Sequence, residues 1–308
     1  MRWRLSIIFL LFVVSCSPND HEETTTKGNL HLYLTESTSL PMMDEAEAFL
    51  DLYKEAGANI SYSTVAEKTA VQQFIEDTSR VLVLTRPLSS TEKETIQRIH
   101  GDLTETIIAY DGIIAVVHPK NSVAQLTTTE IKNILTGTVT RWNNLPNGKN
   151  AGGEIHVYLQ DSSEISQYLI QRLHMPLTAK YRQTSSEIQT LTSVLRDPLA
   201  IGFVTPAWLD STKAAVKVLE LGKTKDDTDT SAVAQDKTEG IYFSPHPAYI
   251  YRNDYPFKRS FYMYTYTVGD LAQGYSAFVA SAQGQKIFLQ RGILPGTQKI
   301  HLRLPGSE

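Results

Sequence analysis

The chain of 308 residues carries one cysteine, Cys16, so no disulfide can form within it and the fold must stand on its apolar core. It has no basic block, and its formal net charge is −4, which argues against nucleic acid as a partner. Beyond the first residues there is no apolar run long enough to span a bilayer. HExxH, GxSxG, Walker-loop and GxGxxG patterns are all missing. The histidines (His21, His31, His100, His118, His156, His174, His246 and His301) are scattered, and no two share metal-ligand spacing. These absences leave no zinc hydrolase, no nucleophile elbow and no nucleotide fingerprint to argue from. Neither a metal nor a cofactor is expected, and the chain is not expected to be an enzyme.

What is present begins with "MRWRLSIIFLLFVVSC", where Arg2 and Arg4 precede an apolar stretch of about eleven residues. Its end, Val13-Val14-Ser15-Cys16, resembles the lipobox of bacterial lipoproteins. Residues 1–15 are then expected to be a signal peptide, Cys16 the lipidated residue, and the polar stretch 16–28 a tether. An ordinary secretory signal with an incidental cysteine is the competing reading. Losing Arg2 and Arg4 takes the formal charge from −4 to −6.

Apolar alternation and short apolar runs predict strands near 29–35, 58–64, 81–85, 104–110, 112–118, 154–159, 200–204 and 215–220. Helical spacing fills most gaps, with Leu40, Met43, Ala46, Ala48, Phe49 and Leu52 forming one apolar face. Strand and helix alternating in this way predict an α/β fold with open sheets, whose ligands sit where a strand hands over to the next helix. "YIYRNDYPFKRSFYMYTYT" reads as extended, and "SAFVASAQGQKIFLQRG" as a helical pair broken near Gly284. Residues 222–240 are charged, polar and aperiodic, and read as a surface excursion.

At 111–145 the chain reads "DGIIAVVHPKNSVAQLTTTEIKNILTGTVTRWNNL". Asp111, Gly112, Leu126, Thr127, Glu130, Ile131, Gly137, Trp142 and Leu145 follow the pattern of the phosphate-binding proteins of bacterial phosphate ABC transporters, which this chain resembles. "AIGFV" at 200–204, "YPFKRSFYMY" and "GQKIFLQRGILP" extend the resemblance in the same order. It implies a type II periplasmic-binding-protein-like fold of two α/β lobes with mixed open sheets joined by two crossover strands. Lobe one would hold 29–111 plus 244–304, and lobe two 112–243. It also implies a monomer held to the membrane only by its lipid, on the periplasmic or cell-surface side, that captures inorganic phosphate and hands it to an ABC permease.

The hydroxyl burst in "LYLTESTSL" falls at the first junction from strand to helix, where free backbone N–H groups and the helix dipole suit an anion. The resemblance implies that Ser37 and Thr38 hold phosphate there, with simple helix capping as the competing reading. Glu36 beside them is unfavourable to an anion. Thr85 and Arg86, after the strand "VLVL", are expected to add a hydroxyl and a cation. The resemblance implies that Asp111 accepts a hydrogen bond from hydrogen phosphate, with ordinary turn chemistry before Gly112 as the competing reading. The fourth station departs from the family. Gln160 stands near its arginine, Ser162 and Ser163 keep hydroxyls at a helix start, and Glu164 replaces a small residue. Losing a charge-assisted contact there leaves room for weaker binding, for another oxyanion, or for a surface or sensory protein of this fold without a ligand.

Overall fold

The computed structural model describes residues 23–149, 152–224 and 240–298. The leader, Cys16 and most of the polar excursion lie outside the described residues. Among the described residues, no helix is long and apolar enough to cross a membrane.

The first lobe opens with β1 (Gly28–Leu34), α1 (Glu36–Tyr53), β2 (Ala58–Thr64), α2 (Glu67–Ile75), β3 (Val81–Leu84), α3 (Ser90–His100) and β4 (Thr104–Gly112). Leu30, Leu32 and Leu34 alternate inward along β1, as a half-buried strand requires. The helix α1 buries Met42, Ala46 and Phe49, whereas Leu52, expected on that face, is 48% exposed. The apolar stripe therefore lies rotated from the one expected, and Glu45 falls inside it. Because α1 begins at Glu36, Pro41 sits in its second turn instead of its first. There it deprives the Ser37 carbonyl of a helical partner.

The second lobe runs through β5 (Ile114–Val117), β6 (Gln125–Thr127), α4 (Thr128–Leu135), β7 (His156–Gln160), α5 (Glu164–Arg172), β8 (Tyr181–Thr184) and α6 (Glu187–Arg196). It continues with β9 (Ala200–Val204), α7 (Pro206–Thr212), β10 (Lys217–Val218), β11 (Glu220–Gly222), β12 (Tyr242–Phe243) and α8 (Pro247–Tyr251). The chain then returns to the first lobe with β13 (Lys258–Thr265), α9 (Leu271–Ala280), α10 (Ala282–Gln290) and β14 (Leu294–Pro295).

The first lobe's main sheet has the order β14-β4-β13-β3, with the parallel pair β1-β2 packed beside β3. The second lobe's main sheet has the order β10-β5-β9-β7-β8, parallel from β9 to β8 and antiparallel on the β5 side. A smaller sheet, β12-β11-β6, completes it. These are mixed open sheets in two lobes, the periplasmic-binding-protein-like architecture.

Two strands cross between the lobes side by side. Asp111 pairs with Arg259 and Gly112 with Lys258, the Ile113 N–H donates to the Phe257 carbonyl at 2.9 Å, and the Tyr255 hydroxyl donates to the Ile113 carbonyl at 2.7 Å. A Cβ at Gly112 would lie 2.8 Å from the Tyr255 ring, so glycine lets the ring close over the strand. The second crossing thus falls near Lys258 and not near 244, because Ile250, Tyr255 and Phe257 pack into the second lobe's core. Residues 249–251, the start of the stretch expected to be extended, close helix α8 instead. The break in the last helical pair is at Ser281, which caps α10, while Gly284 is inside that helix against the Phe278 carbonyl.

The residues that carried the family pattern serve the fold. Thr127 and Glu130 form a capping box at α4. Gly137 has a φ of +78°, and Trp142 is buried with its indole N–H donated to Leu199 O at 3.0 Å.

Candidate functional site

Among the described residues, four helices begin at the cleft between the lobes with glutamate as first residue: Glu36 in α1, Glu67 in α2, Glu164 in α5 and Glu187 in α6. A carboxylate suits the start of a helix in general. Here each carboxylate serves a neighbouring element instead of its own.

Glu164 reaches out of the second lobe into the first. Its Oε1 accepts from the Thr35 hydroxyl at 2.9 Å and the Thr85 hydroxyl at 3.0 Å, and its Oε2 accepts from the Ser37 backbone N–H at 3.2 Å. Behind these donors lies Arg259, 3% exposed, with Nη1 at 3.4 Å from both the Ser37 and Thr85 hydroxyl oxygens. Its other edge forks onto Asp111, with Nε to Oδ1 at 3.0 Å and Nη2 to Oδ2 at 2.7 Å. Burial opposes the charge on Arg259, but the facing Asp111 carboxylate more than compensates and raises its pKa.

Glu36 reaches the other way. Its Oε1 accepts from the Glu187 backbone N–H at 2.9 Å, and its own carbonyl accepts from the Trp208 indole at 3.0 Å. Burial pushes its pKa up, the Glu187 N–H and Gln160 pull it back, and Glu164 pushes it further up. Glu187 in turn accepts from the Thr205 backbone N–H at 2.6 Å, just before α7. It is 2% exposed, and burial raises its carboxyl to about 8 against the opposing Thr205 N–H. Glu164 on α1, Glu36 on α6 and Glu187 at α7 make a relay of carboxylates on helix starts.

The expected residues divide accordingly. Ser37 and Thr85 converge on the Glu164 carboxylate. Thr38 does not: it is fully buried and its hydroxyl oxygen accepts from the Thr35 N–H at 3.1 Å, so it is a cap, and Thr35 is the hydroxyl that faces the cleft. Arg86 turns away. Its Nε donates to Glu67 at 2.7 Å, and its two terminal nitrogens donate to Glu92 at 2.9 Å each. This fork holds the Glu92 carboxyl down at about 2, so Arg86 is spent on the starts of α2 and α3. Asp111 faces Arg259 and acts as its counter-ion. Gln160 lines the cleft but donates to the Ser185 carbonyl at 3.3 Å. Ser163 caps α5, accepting from the Ser166 N–H at 3.2 Å, and Ser162 turns the chain into that cap at a φ of +52°. A cavity of about 300 Å³ remains beside Glu164, lined from one side by Glu36 and Glu67 and from the other by Gln160, Asp161 and Ser162. Among the described residues, no group of three or more His, Cys, Asp or Glu side chains could hold a metal ion.

Arg259 was the missed residue. It stood inside the quoted "YPFKRSFYMY", and an arginine within a run of aromatic residues was the signal that it enters a core with a partner.

The fold and this chain's sequence can be set beside known proteins. A putative phosphate ABC transporter substrate-binding protein from Clostridium perfringens, solved with bound phosphate, is 20% identical with a TM-score of 0.69, over 87% of this chain and 99% of that one. An ABC-type phosphate transport receptor from Vibrio cholerae is 18% identical with a TM-score of 0.60, over 87% and 99%. Phosphate-binding protein PstS 2 of Streptococcus agalactiae is 30% identical over 110 residues, so the matched region spans 35% of this chain and 35% of that relative's length. Residues 19–283 match the PBP superfamily domain, and on a match of that extent the chain belongs to the PBP superfamily.

Proposed function

We propose that this protein is an extracytoplasmic substrate-binding protein that captures inorganic phosphate between its lobes and delivers it to an ABC permease, with no bond made or broken. The observation that carries the reading is the cradle on the first lobe. Two hydroxyls and a helix-start N–H converge on one pair of carboxylate oxygens, a buried arginine stands behind them against the Ser37 and Thr85 hydroxyls, and that set suits an oxyanion in a desolvated seat. The similarity to proteins named for phosphate binding and phosphate transport supports phosphate as the ion. Lipid attachment at Cys16, retention at the membrane by that lipid alone and a monomeric state belong to the same reading. Calorimetry of the purified chain with phosphate, then sulfate, tests it: saturable one-to-one heat with phosphate is the expected result, and silence with phosphate would sink it. A second reading, a protein of this fold that no longer takes free ligands, is favoured by one observation, the Glu164 carboxylate in the seat.

A further inference from the structure

Glu164 makes, with the first lobe, the contacts a guest oxyanion would make. Its two oxygens take the Thr35 and Thr85 hydroxyls and the Ser37 N–H, and they stand in front of Arg259. The contact crosses the cleft, because Glu164 opens α5 of the second lobe while all its donors belong to the first. The polar seat is therefore satisfied by the protein's own carboxylate, which removes the usual penalty for burying donors without an acceptor.

We propose that Glu164 is a tethered competitor: its carboxylate latches the lobes together in the absence of ligand, and a free oxyanion must displace it to reach the cradle. The proposal rests on the reading of the cradle as a phosphate seat.

A group on a short tether acts at an effective concentration on the order of millimolar, so the intrinsic affinity of the cradle is masked by whatever fraction of molecules has the latch engaged. Phosphate has the advantage of more oxygens and a second negative charge, while Glu164 has the advantage of its tether. Such a protein would respond only to abundant ligand. The second lobe would meet the ion without an arginine, since Gln160 is committed to Ser185 and Glu36.

The test pairs calorimetry with small-angle X-ray scattering on the full chain and its Glu164→Ser variant, using inorganic phosphate as the probe. Without phosphate, the wild type should be compact and Glu164→Ser expanded. Adding phosphate should compact the variant, with a dissociation constant lower than that of the wild type by at least about tenfold. Glu164→Gln, of the same size but without the charge, serves if the serine variant fails to fold, and should move in the same direction. If the wild type binds phosphate and the variant matches it in both affinity and ligand-free dimensions, the latch is overturned and the phosphate reading stands. If neither binds phosphate but the variant still expands, the latch stands and the phosphate reading falls.

Discussion

The two lobes bring opposite chemistry to their shared cleft. The first offers donors: the Thr35 and Thr85 hydroxyls, the Ser37 N–H and, behind them, Arg259. The second offers Glu164 in return, beside Gln160 and Asp161. A cleft that receives its anion from solution gains by presenting donors on both walls, since each added donor strengthens the hold on the same charge. Here the walls complement each other instead. The arrangement is lopsided in charge too, because Arg259 is paired with Asp111 and Arg86 with Glu67 and Glu92, while among the described residues Glu164 forms no ion pair.

The largest effect should come from breaking the donor wall at its root. Asp111 and Arg259 are 1% and 3% exposed, and removing one leaves the other charged and uncompensated. Asp111→Ala is expected to cost about 3–5 kcal/mol of folding stability, read by urea unfolding, because a severed buried pair strands a charge. A loss below about 1 kcal/mol would mean that the pair is better solvated than its burial implies.

The next contrast is between Glu164, whose oxygens are satisfied, and Glu45, whose carboxyl oxygens are buried with no hydrogen-bond partner among the described residues. Burial, with a further push from Asp44, raises the Glu45 carboxyl from 4.5 to about 9. The folded state therefore holds a proton that the unfolded state releases above 4.5. Its contribution to stability is fully present below that value and is lost as pH rises through about 9. Glu45→Met should stabilise the protein by about 1–3 kcal/mol at pH 9 and by progressively less on acidification. A gain independent of pH would show that packing, and not the carboxyl, was at fault.

Glu187 sharpens the same comparison within the relay, where one backbone N–H serves a buried carboxyl. With its carboxyl raised to about 8, its contribution also declines as pH rises through that value. Glu187→Gln should flatten the fall in melting temperature between about pH 5 and 8, an effect on the order of 1 kcal/mol. A melting curve as steep as the wild type's would remove Glu187 from the account.

The smallest effect is expected at Arg86. Its donors are all turned to Glu67, Glu92 and the Pro87 carbonyl, so Arg86→Ala should leave the phosphate dissociation constant within about twofold while costing about 0.5–1 kcal/mol of stability. A larger loss of affinity would return Arg86 to the site.

Much of the scaffold was legible because its signals are local. Alternation marked β1 and the apolar run marked β3, while Glu130, Gly137 and Trp142 were legible as a family pattern but not as the cap, left-handed turn and core anchor they form. The site was less legible because its bonds join residues far apart in the chain. Arg259 meets Asp111 across 148 positions, and Glu164 meets Thr35 across 129. Spacing showed Glu164 as a departure from the family pattern but not where its carboxylate goes. The rotation of α1 that exposes Leu52 and buries Glu45 escaped for a related reason: Leu and Met recur on both sides of the true stripe, and only the packing of α1 on β1, β2, α9 and α10 of its own lobe decides between them.

The paired crossing strands set the mechanics of any opening. From Asp111 to Ile113 the two strands run in antiparallel register, the Ile113 N–H is bonded to the Phe257 carbonyl, and the Tyr255 ring sits against Gly112. A ribbon bonded in this way resists bending in its own plane and yields by twisting along its axis, as two-stranded ribbons readily do. Opening would then break no backbone bond, and the Ile113 amide should exchange with solvent deuterium as slowly as the strand interiors in both ligand states. Lobes that opened in this way would be blades on a torsion spring, its resting angle set where Glu164 and Glu36 meet the helix starts at the blades' edges.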